Sequence, residues 1–146
     1  MKMNDTNVSL LDIQYNEDDR AQRKLNIFDI PEAQINVSYV NSTEHVVAWH
    51  KHNIQTDYWA CIKGSFKVGL ASPITVNGEK TYKVDWLYLS DKNPKAIKIP
   101  PGVYHGYKAL EPHSILLYYL TEKYNPEDEI RAKPGHFNEN WEVEHK

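Results

Sequence analysis

His50-Lys51-His52, followed after four residues by Asp57 and after six more by Gly64, is one of two stretches that decide the fold; the other is Pro100-Pro101-Gly102-Val103-Tyr104-His105. In a strand, residues i and i+2 share a face, so His50 and His52 point the same way. Asp57 can join them from the next strand. The Pro and Gly before His105 make a tight turn and start its strand at a fixed register. Three imidazoles and a carboxylate are thereby aimed at one place on a β scaffold. Asp57 reads equally well as a site residue or as a solvated carboxylate at a hairpin.

The surroundings are β throughout. Ala33 to Val40 alternates, with Ile35, Val37 and Tyr39 on one face and Gln34, Asn36 and Ser38 on the other. His45 to His52 reads as a further strand. Asp57 to Ile62 and Ser65 to Ala71 read as two strands joined at Lys63-Gly64. Asn77-Gly78 is a hairpin-turn signal ahead of the alternating Thr81 to Leu89. Ala96 to Ile99, Tyr104 to Leu110 and Ser114 to Thr121 complete the set. Asn16 to Arg23 is expected to form a short helical turn. Roughly eight closely spaced strands with Gly and Pro between them imply an all-β barrel or sandwich. The expected organisation is one domain over 1–146: an N-terminal arm at 1–30, a barrel at 31–121 and a wrapping tail at 122–146.

Composition narrows the function classes. The 146 residues carry a formal net charge of −3 with no Lys/Arg run, which argues against a nucleic-acid partner. Cys61 is the sole cysteine, so neither an intrachain disulfide nor a thiolate zinc cluster is available; it reads as a small buried hydrophobe. Met1 to Leu11 lacks a signal-peptide pattern and no stretch is apolar enough to span a membrane. The expected location is cytoplasmic, with no membrane partner. Ten Tyr and four Trp suit a cleft that holds rings or sugars.

His-x-His…Asp…Gly and Pro-x-Gly-x-x-His together resemble the two signature motifs of the cupin superfamily, with Asp57 where those motifs usually carry Glu. That resemblance implies a double-stranded β-helix, or jelly-roll barrel. The flanks resemble one family more narrowly. Gln34-Ile35-Asn36-Val37-Ser38, Val46-Val47-Ala48-Trp49-His50, Ile99-Pro100-Pro101-Gly102-Val103-Tyr104-His105-Gly106-Tyr107 and Tyr118-Tyr119-Leu120-Thr121-Glu122-Lys123-Tyr124-Asn125-Pro126 are similar to segments of the dTDP-4-dehydrorhamnose 3,5-epimerases. That family carries Gln-x-Asn-x-Ser, Arg-Gly-Leu-His, Ile-Pro-x-Gly-Phe-x-His-Gly-Phe and Tyr-x-x-Thr-x-x-Tyr-x-Pro.

The resemblance implies an isomerase acting on a nucleotide-linked 4-keto-6-deoxy sugar in surface polysaccharide or deoxysugar biosynthesis, with no cofactor, as a homodimer. His50 takes the place of the catalytic base and Tyr118 that of the acid, with Tyr119 one register step away as the alternative. Gln34, Asn36, Ser38, His52, His105 and Tyr124 fall on substrate-binding positions. A 4-keto sugar has acidic protons at C3 and C5, and His is the side chain whose ordinary pKa suits their removal.

Three departures stand against the family pattern. Its diphosphate-binding Arg falls on Val47, and its enolate-stabilising Lys falls on Asp57. Its Trp-Asn-Asp segment, whose Asp orients the base, has no clean match in Arg131 to Trp141. Two other functions stay open on the residues alone: a metal-dependent cupin using His50, His52, Asp57 and His105, and a non-catalytic sugar-binding cupin.

Overall fold

The computed structural model describes residues 8–142, so the N-terminal stretch read for a leader falls, up to residue 7, outside the described part. Among the described residues there are eleven strands: β1 (Gln14–Glu17), β2 (Ala21–Leu25), β3 (Gln34–Val40), β4 (Val46–Lys51), β5 (Asp57–Lys63), β6 (Ser65–Val76), β7 (Glu79–Ser90), β8 (Ala96–Ile99), β9 (Tyr104–Ala109), β10 (Ser114–Leu120) and β11 (Ile130–Arg131). A single 3-10 turn, Pro126–Asp128, is the one helical element described. The strands form a six-stranded sheet, β1-β2-β3-β10-β5-β8, and a five-stranded sheet, β11-β4-β9-β6-β7. All pairings are antiparallel. The two sheets close over one interior as a cupin barrel.

The alternation seen in the sequence decides what that interior contains. On β3 it is the polar set, Gln34, Asn36 and Ser38, that is buried, while Ile35, Val37 and Tyr39 are half-exposed on the outer face. On β10, Leu116 and Leu120 are buried while Tyr119 is exposed. Register follows: Tyr118 pairs with Asn36 on one side and Trp59 on the other, so all three lie in one row. The apolar core fills the rest of the barrel with Val40, Trp59, Phe66, Val68, Ile99, Tyr107 and Leu116. A polar inner face on a barrel strand is the mark of a cavity, because buried polar groups persist only where they find partners or a ligand.

A second apolar cluster lies outside the five-stranded sheet. Trp49, Ala71 and Tyr104 pack there beneath Trp141, with Phe137 and Trp86 against them. The tail is held in place by Trp49 and Ala132, which exchange backbone hydrogen bonds of 2.8 and 3.0 Å. Lys67 adds bonds from its Nζ to the carbonyls of Asn140 and Glu142.

Three local expectations are corrected. Asn16 to Arg23 is a hairpin and not a helical turn: Asp18 accepts from the backbone N–H groups of Arg20 and Ala21, which folds the chain back as β2. Residues 14–25, expected to be irregular, therefore extend the six-stranded sheet. Lys63-Gly64 does not join a hairpin. β5 and β6 belong to different sheets, and the chain crosses between them there. Gly64 is required at that corner, since φ is +81° and a Cβ would sit 2.1 Å from the Ser114 hydroxyl. Cys61 is only half-buried, with its thiol donating to the carbonyls of Lys63 and Gly64. Asn77-Gly78 does form the expected turn, with φ of 52° and 79° between the long strands β6 and β7.

Candidate active site

The barrel holds a cavity of about 580 Å³, lined from both sheets, a size ordinary for a small-molecule site. The five-stranded sheet contributes His50 from β4 and His105 and Tyr107 from β9. The six-stranded sheet contributes Arg23, Gln34, Asn36, Ser38, Asp57, Trp59 and Tyr118. His52, Gln55, Tyr124, Glu129 and Arg131 also line it. The candidates His50, His52, His105, Tyr118, Gln34, Asn36, Ser38 and Tyr124 thus all border one space. Tyr119 points the other way, as the register of β10 requires.

His50 has a partner the sequence did not reveal. Its Nδ1 lies 2.9 Å from Glu129 Oε1, and Glu129 is 13% exposed. The His50 hydrogen bond, followed by that of Arg131, draws the Glu129 carboxyl down to about 2. Glu129 is therefore ionised and can only accept, so the His50 proton sits on Nδ1. In the neutral tautomer this leaves the lone pair on Nε2, the nitrogen turned away from Glu129.

On the opposite wall, Tyr118 Oη lies 3.1 Å from Ser38 Oγ. Burial pushes the Tyr118 phenol up, so it stays protonated near neutral pH, as an acid must. Asn36 and Arg23 also act on this phenol. Gln34 is committed to structure: its Nε2 donates to Asn36 Oδ1 at 2.9 Å and its Oε1 accepts from the Tyr124 N–H at 3.2 Å.

His52, Asp57 and His105 form the floor. Their ligand-type atoms lie within 4.8 Å of one another, close enough to suit a divalent ion. The four-residue set named for a metal is not assembled, however, because His50 is turned to Glu129. Asp57, buried and not a solvated hairpin carboxylate, is already engaged at both oxygens: Oδ1 accepts from Gln55 Nε2 at 2.6 Å and Oδ2 from Trp59 Nε1 at 3.2 Å. The Gln55 amide also faces His52 Nε2 at 3.3 Å. Hydrogen bonds thus already engage the carboxylate and one imidazole of this group. Burial, opposed by the Asp57 carboxylate, holds the His105 imidazole below its ordinary range.

Two further sets of residues were not singled out by sequence reasoning. Arg20 and Arg23 reach the cavity from the β1–β2 hairpin. Both bind Asp18, at 2.7 and 3.1 Å, which holds that carboxyl well below the usual range. Asp128 is a buried clasp: its carboxylate accepts from the backbone N–H groups of Asn53, Ile54 and Gln55, and its carbonyl oxygen accepts from His52 Nδ1. The next residue is Glu129. One turn of chain therefore sets both histidines of the His-x-His pair. No alternation of polar and apolar residues marks Arg23, which lies in Ala21-Gln22-Arg23-Lys24-Leu25.

Comparison with known proteins agrees with this geometry. Residues 9–144 match the dTDP-4-dehydrorhamnose 3,5-epimerase family. A protein of Haloferax volcanii named probable low-salt glycan biosynthesis epimerase Agl13 is 33% identical over 130 residues, covering 83% of this chain and 81% of that protein. The spore coat polysaccharide biosynthesis protein SpsL of Bacillus subtilis is 32% identical over 83 residues; the match covers 56% of this chain and only about half, 54%, of SpsL. Among solved structures, the dTDP-4-dehydrorhamnose 3,5-epimerase of Elizabethkingia anophelis superposes with a TM-score of 0.65 at 17% identity, over 90% of this chain and 87% of that one. With a family match along nearly its whole length and a cupin barrel to carry it, the chain belongs to the dTDP-4-dehydrorhamnose 3,5-epimerase family and is a sugar epimerase.

Proposed function

We propose that the chain inverts C3, C5 or both of a nucleotide-linked 4-keto-6-deoxy sugar, using His50 as base and Tyr118 as acid. The observation that carries this reading is their placement. His50, paired with Glu129, stands on one sheet and Tyr118 on the other, with the cavity between them. Inversion at a carbon next to a ketone needs a proton removed from one face and another delivered to the opposite face. A base and an acid on facing walls do both without moving the sugar. Glu129 stabilises the imidazolium that forms when His50 Nε2 takes the proton.

An enolate also needs positive charge or donors close by. Asp57 supplies neither, since it is a carboxylate already occupied by Gln55 and Trp59. Arg20 and Arg23 offer the cavity's wall cationic groups, and guanidinium forks suit a diphosphate. They stand in for the Arg that the family pattern places at Val47. His52, His105, Asn36 and Tyr124 border the sugar. A role in making surface polysaccharide or deoxysugars is supported by the names of the two relatives, and a nucleotide-sugar substrate suits a cytoplasmic reaction. The outer face of the six-stranded sheet carries Ile62, Tyr58 and Tyr119 exposed at 54%, 37% and 37%. We place the contact of a homodimer on that face.

The test is deuterium exchange read by NMR on dTDP-, UDP-, GDP- and CDP-4-keto-6-deoxy sugars. The wild type should exchange ring protons beside the ketone with at least one of them. His50→Ala should abolish exchange, and Tyr118→Phe should keep exchange but lose inversion, each by about a hundred- to ten-thousand-fold. Absence of exchange with every sugar would overturn the reading.

A further inference from the structure

β11 is only two residues long and lies at the edge of the five-stranded sheet, yet the residue just before it is Glu129, the partner of His50. A strand this short is marginal on its own pairing. Alternation runs through it and its neighbours. Glu129 and Arg131 line the cavity, while Ile130 and Ala132 pack into the aromatic cluster on the outside of the sheet. β4 alternates in step: His50 borders the cavity and Trp49 lies in the cluster. Arg131 pairs with His50 in register, and Trp49 exchanges two backbone hydrogen bonds with Ala132. Which face of β11 lies outward thus decides whether Glu129 points at His50.

Asp128 fixes the chain just before this segment, through the N–H groups of Asn53, Ile54 and Gln55. That clasp sets where the chain enters, not which face turns in. The outer contact comes from further along the tail. Trp141 is buried, its ring centroid 5.1 Å from that of Trp49 and 4.8 Å from that of Trp86. Phe137 meets Trp49 edge-on at 5.3 Å. β6 makes room for these rings with Gly69, where a Cβ would stand 2.6 Å from the Trp49 ring and 2.8 Å from the Trp141 ring. Glu139 closes the turn between them: its carboxylate accepts from the N–H groups of Gly135 and Phe137 and from Trp141 Nε1, at 2.6, 3.0 and 2.7 Å. None of Trp49, Phe137, Glu139 and Trp141 lines the cavity.

We propose that Trp141 is a positioning residue for the base: seated on Trp49, it holds the apolar face of β11 outward and so keeps Glu129 against His50. Its consequence for the rate rests on the epimerase reading above; its consequence for the His50–Glu129 bond does not. Without the indole, Ile130 and Ala132 lose their cover, and a two-residue edge strand is free to open locally. His50 keeps its place on β4, between β11 and β9, but loses the carboxylate that stabilises its protonated form.

The experiment reads that bond by proton–nitrogen NMR of the His50 Nδ1–H in the whole protein, and kcat on whichever 4-keto sugar the wild type inverts. A proton shared with a carboxylate resonates far downfield, and its shift in Glu129→Gln identifies it. Trp141→Ala should lose that resonance and lower kcat by about tenfold, with KM within about twofold, because the groups that bind the sugar stay in place. Trp141→Phe, which keeps a ring over Trp49, should keep the resonance and most of the rate. Added to Glu129→Gln, Trp141→Ala should cost no more than about a further twofold in kcat, because both act through one carboxylate; damage to the barrel would multiply instead. Thermal melts check folding. Should Trp141→Ala not fold, Glu139→Ala loosens the same turn from outside the barrel and should weaken the resonance and lower kcat by about threefold. An intact resonance with wild-type kcat in the folded variant would overturn the proposal, as would losses that multiply in the double variant. A wild type that exchanges no sugar would defeat the epimerase reading, whereas loss of the resonance in Trp141→Ala would still support the hold of Trp141 on Glu129.

Discussion

Glu129→Gln isolates the charge of the His50 pair, because Gln keeps an acceptor oxygen at nearly the same place. The wild-type bond is short, 2.9 Å, and lies in a wall where Glu129 is 13% exposed. Drawing the carboxyl from an ordinary 4.5 to about 2 is worth about 3 kcal/mol at roughly 1.4 kcal/mol per pH unit. Arg131 shares in that, and solvent screens part of it, leaving about 1.5–2 kcal/mol to the His50 contact. That range matches the usual net value of a hydrogen bond to a charged group, about 1.5–3 kcal/mol. At about 1.4 kcal/mol per factor of ten, Glu129→Gln should lower kcat by about ten- to thirtyfold. KM should change little, since the carboxylate acts through His50 and not on the sugar. Initial rates of epimerisation and of deuterium exchange measure both quantities.

The same carboxyl leaves a trace in stability. Its folded pKa is depressed, so its contribution is present above about 4.5 and is lost as pH falls toward about 2. Melting temperatures of the wild type should fall across that window, and Glu129→Gln should remove part of the fall. A Glu129→Gln enzyme within twofold of wild type in kcat, with an unaltered acid limb in its melting profile, would refute the dyad.

Arg23→Ala should raise KM for the nucleotide sugar by about tenfold or more, with Arg20→Ala weaker because its side chain is 41% exposed against 13% for Arg23. Steady-state kinetics at low and high salt would show this, and an unchanged KM would remove the hairpin from the binding site. Light scattering should give twice the 17.0 kDa chain mass, and Tyr119→Glu should return it to a monomer; a wild-type monomer would rule out the sheet-face contact.

The barrel was legible because its strands obey a period of two and its corners are marked by Gly and Pro. The His-x-His and Pro-x-Gly-x-x-His stretches fixed where three imidazoles would lie, but the sequence left Tyr118 and Tyr119 as alternatives, and the register of β10 puts Tyr118 inside. What escaped were contacts closed by distance in sequence. Glu129 reaches His50 across 79 positions and Asp128 reaches Gln55 across 73, so no local pattern announces either. The 14–25 hairpin escaped for another reason. Its turn is made by the Asp18 side chain instead of by Gly or Asn-Gly, and its first strand is exposed along its whole length. Local rules that depend on glycine or on alternating burial have nothing to detect there.

These escapes explain the departures from the family pattern. Val47 lies on β4 beside the pocket, where an apolar side chain leaves no cation for a diphosphate. Arg20 and Arg23 approach the same cavity from the hairpin that adds two strands to the facing sheet. The missing Trp-Asn-Asp carboxylate was sought in Arg131 to Trp141, which instead covers the outside of the five-stranded sheet. The carboxylate that pairs with His50 comes two residues before that segment, at Glu129, carried in by the Asp128 clasp. At position 57 no cation replaces the family's Lys: Asp57 sits at the floor with both oxygens accepting hydrogen bonds. On the proposed mechanism, an enolate formed in this cavity leans on donors along the Arg23–Tyr118 wall, where Ser38 Oγ lies 3.1 Å from Tyr118 Oη. On the proposed mechanism these departures move positive charge to the sheet that carries Tyr118 and leave the His50–Glu129 pair facing it from the other sheet.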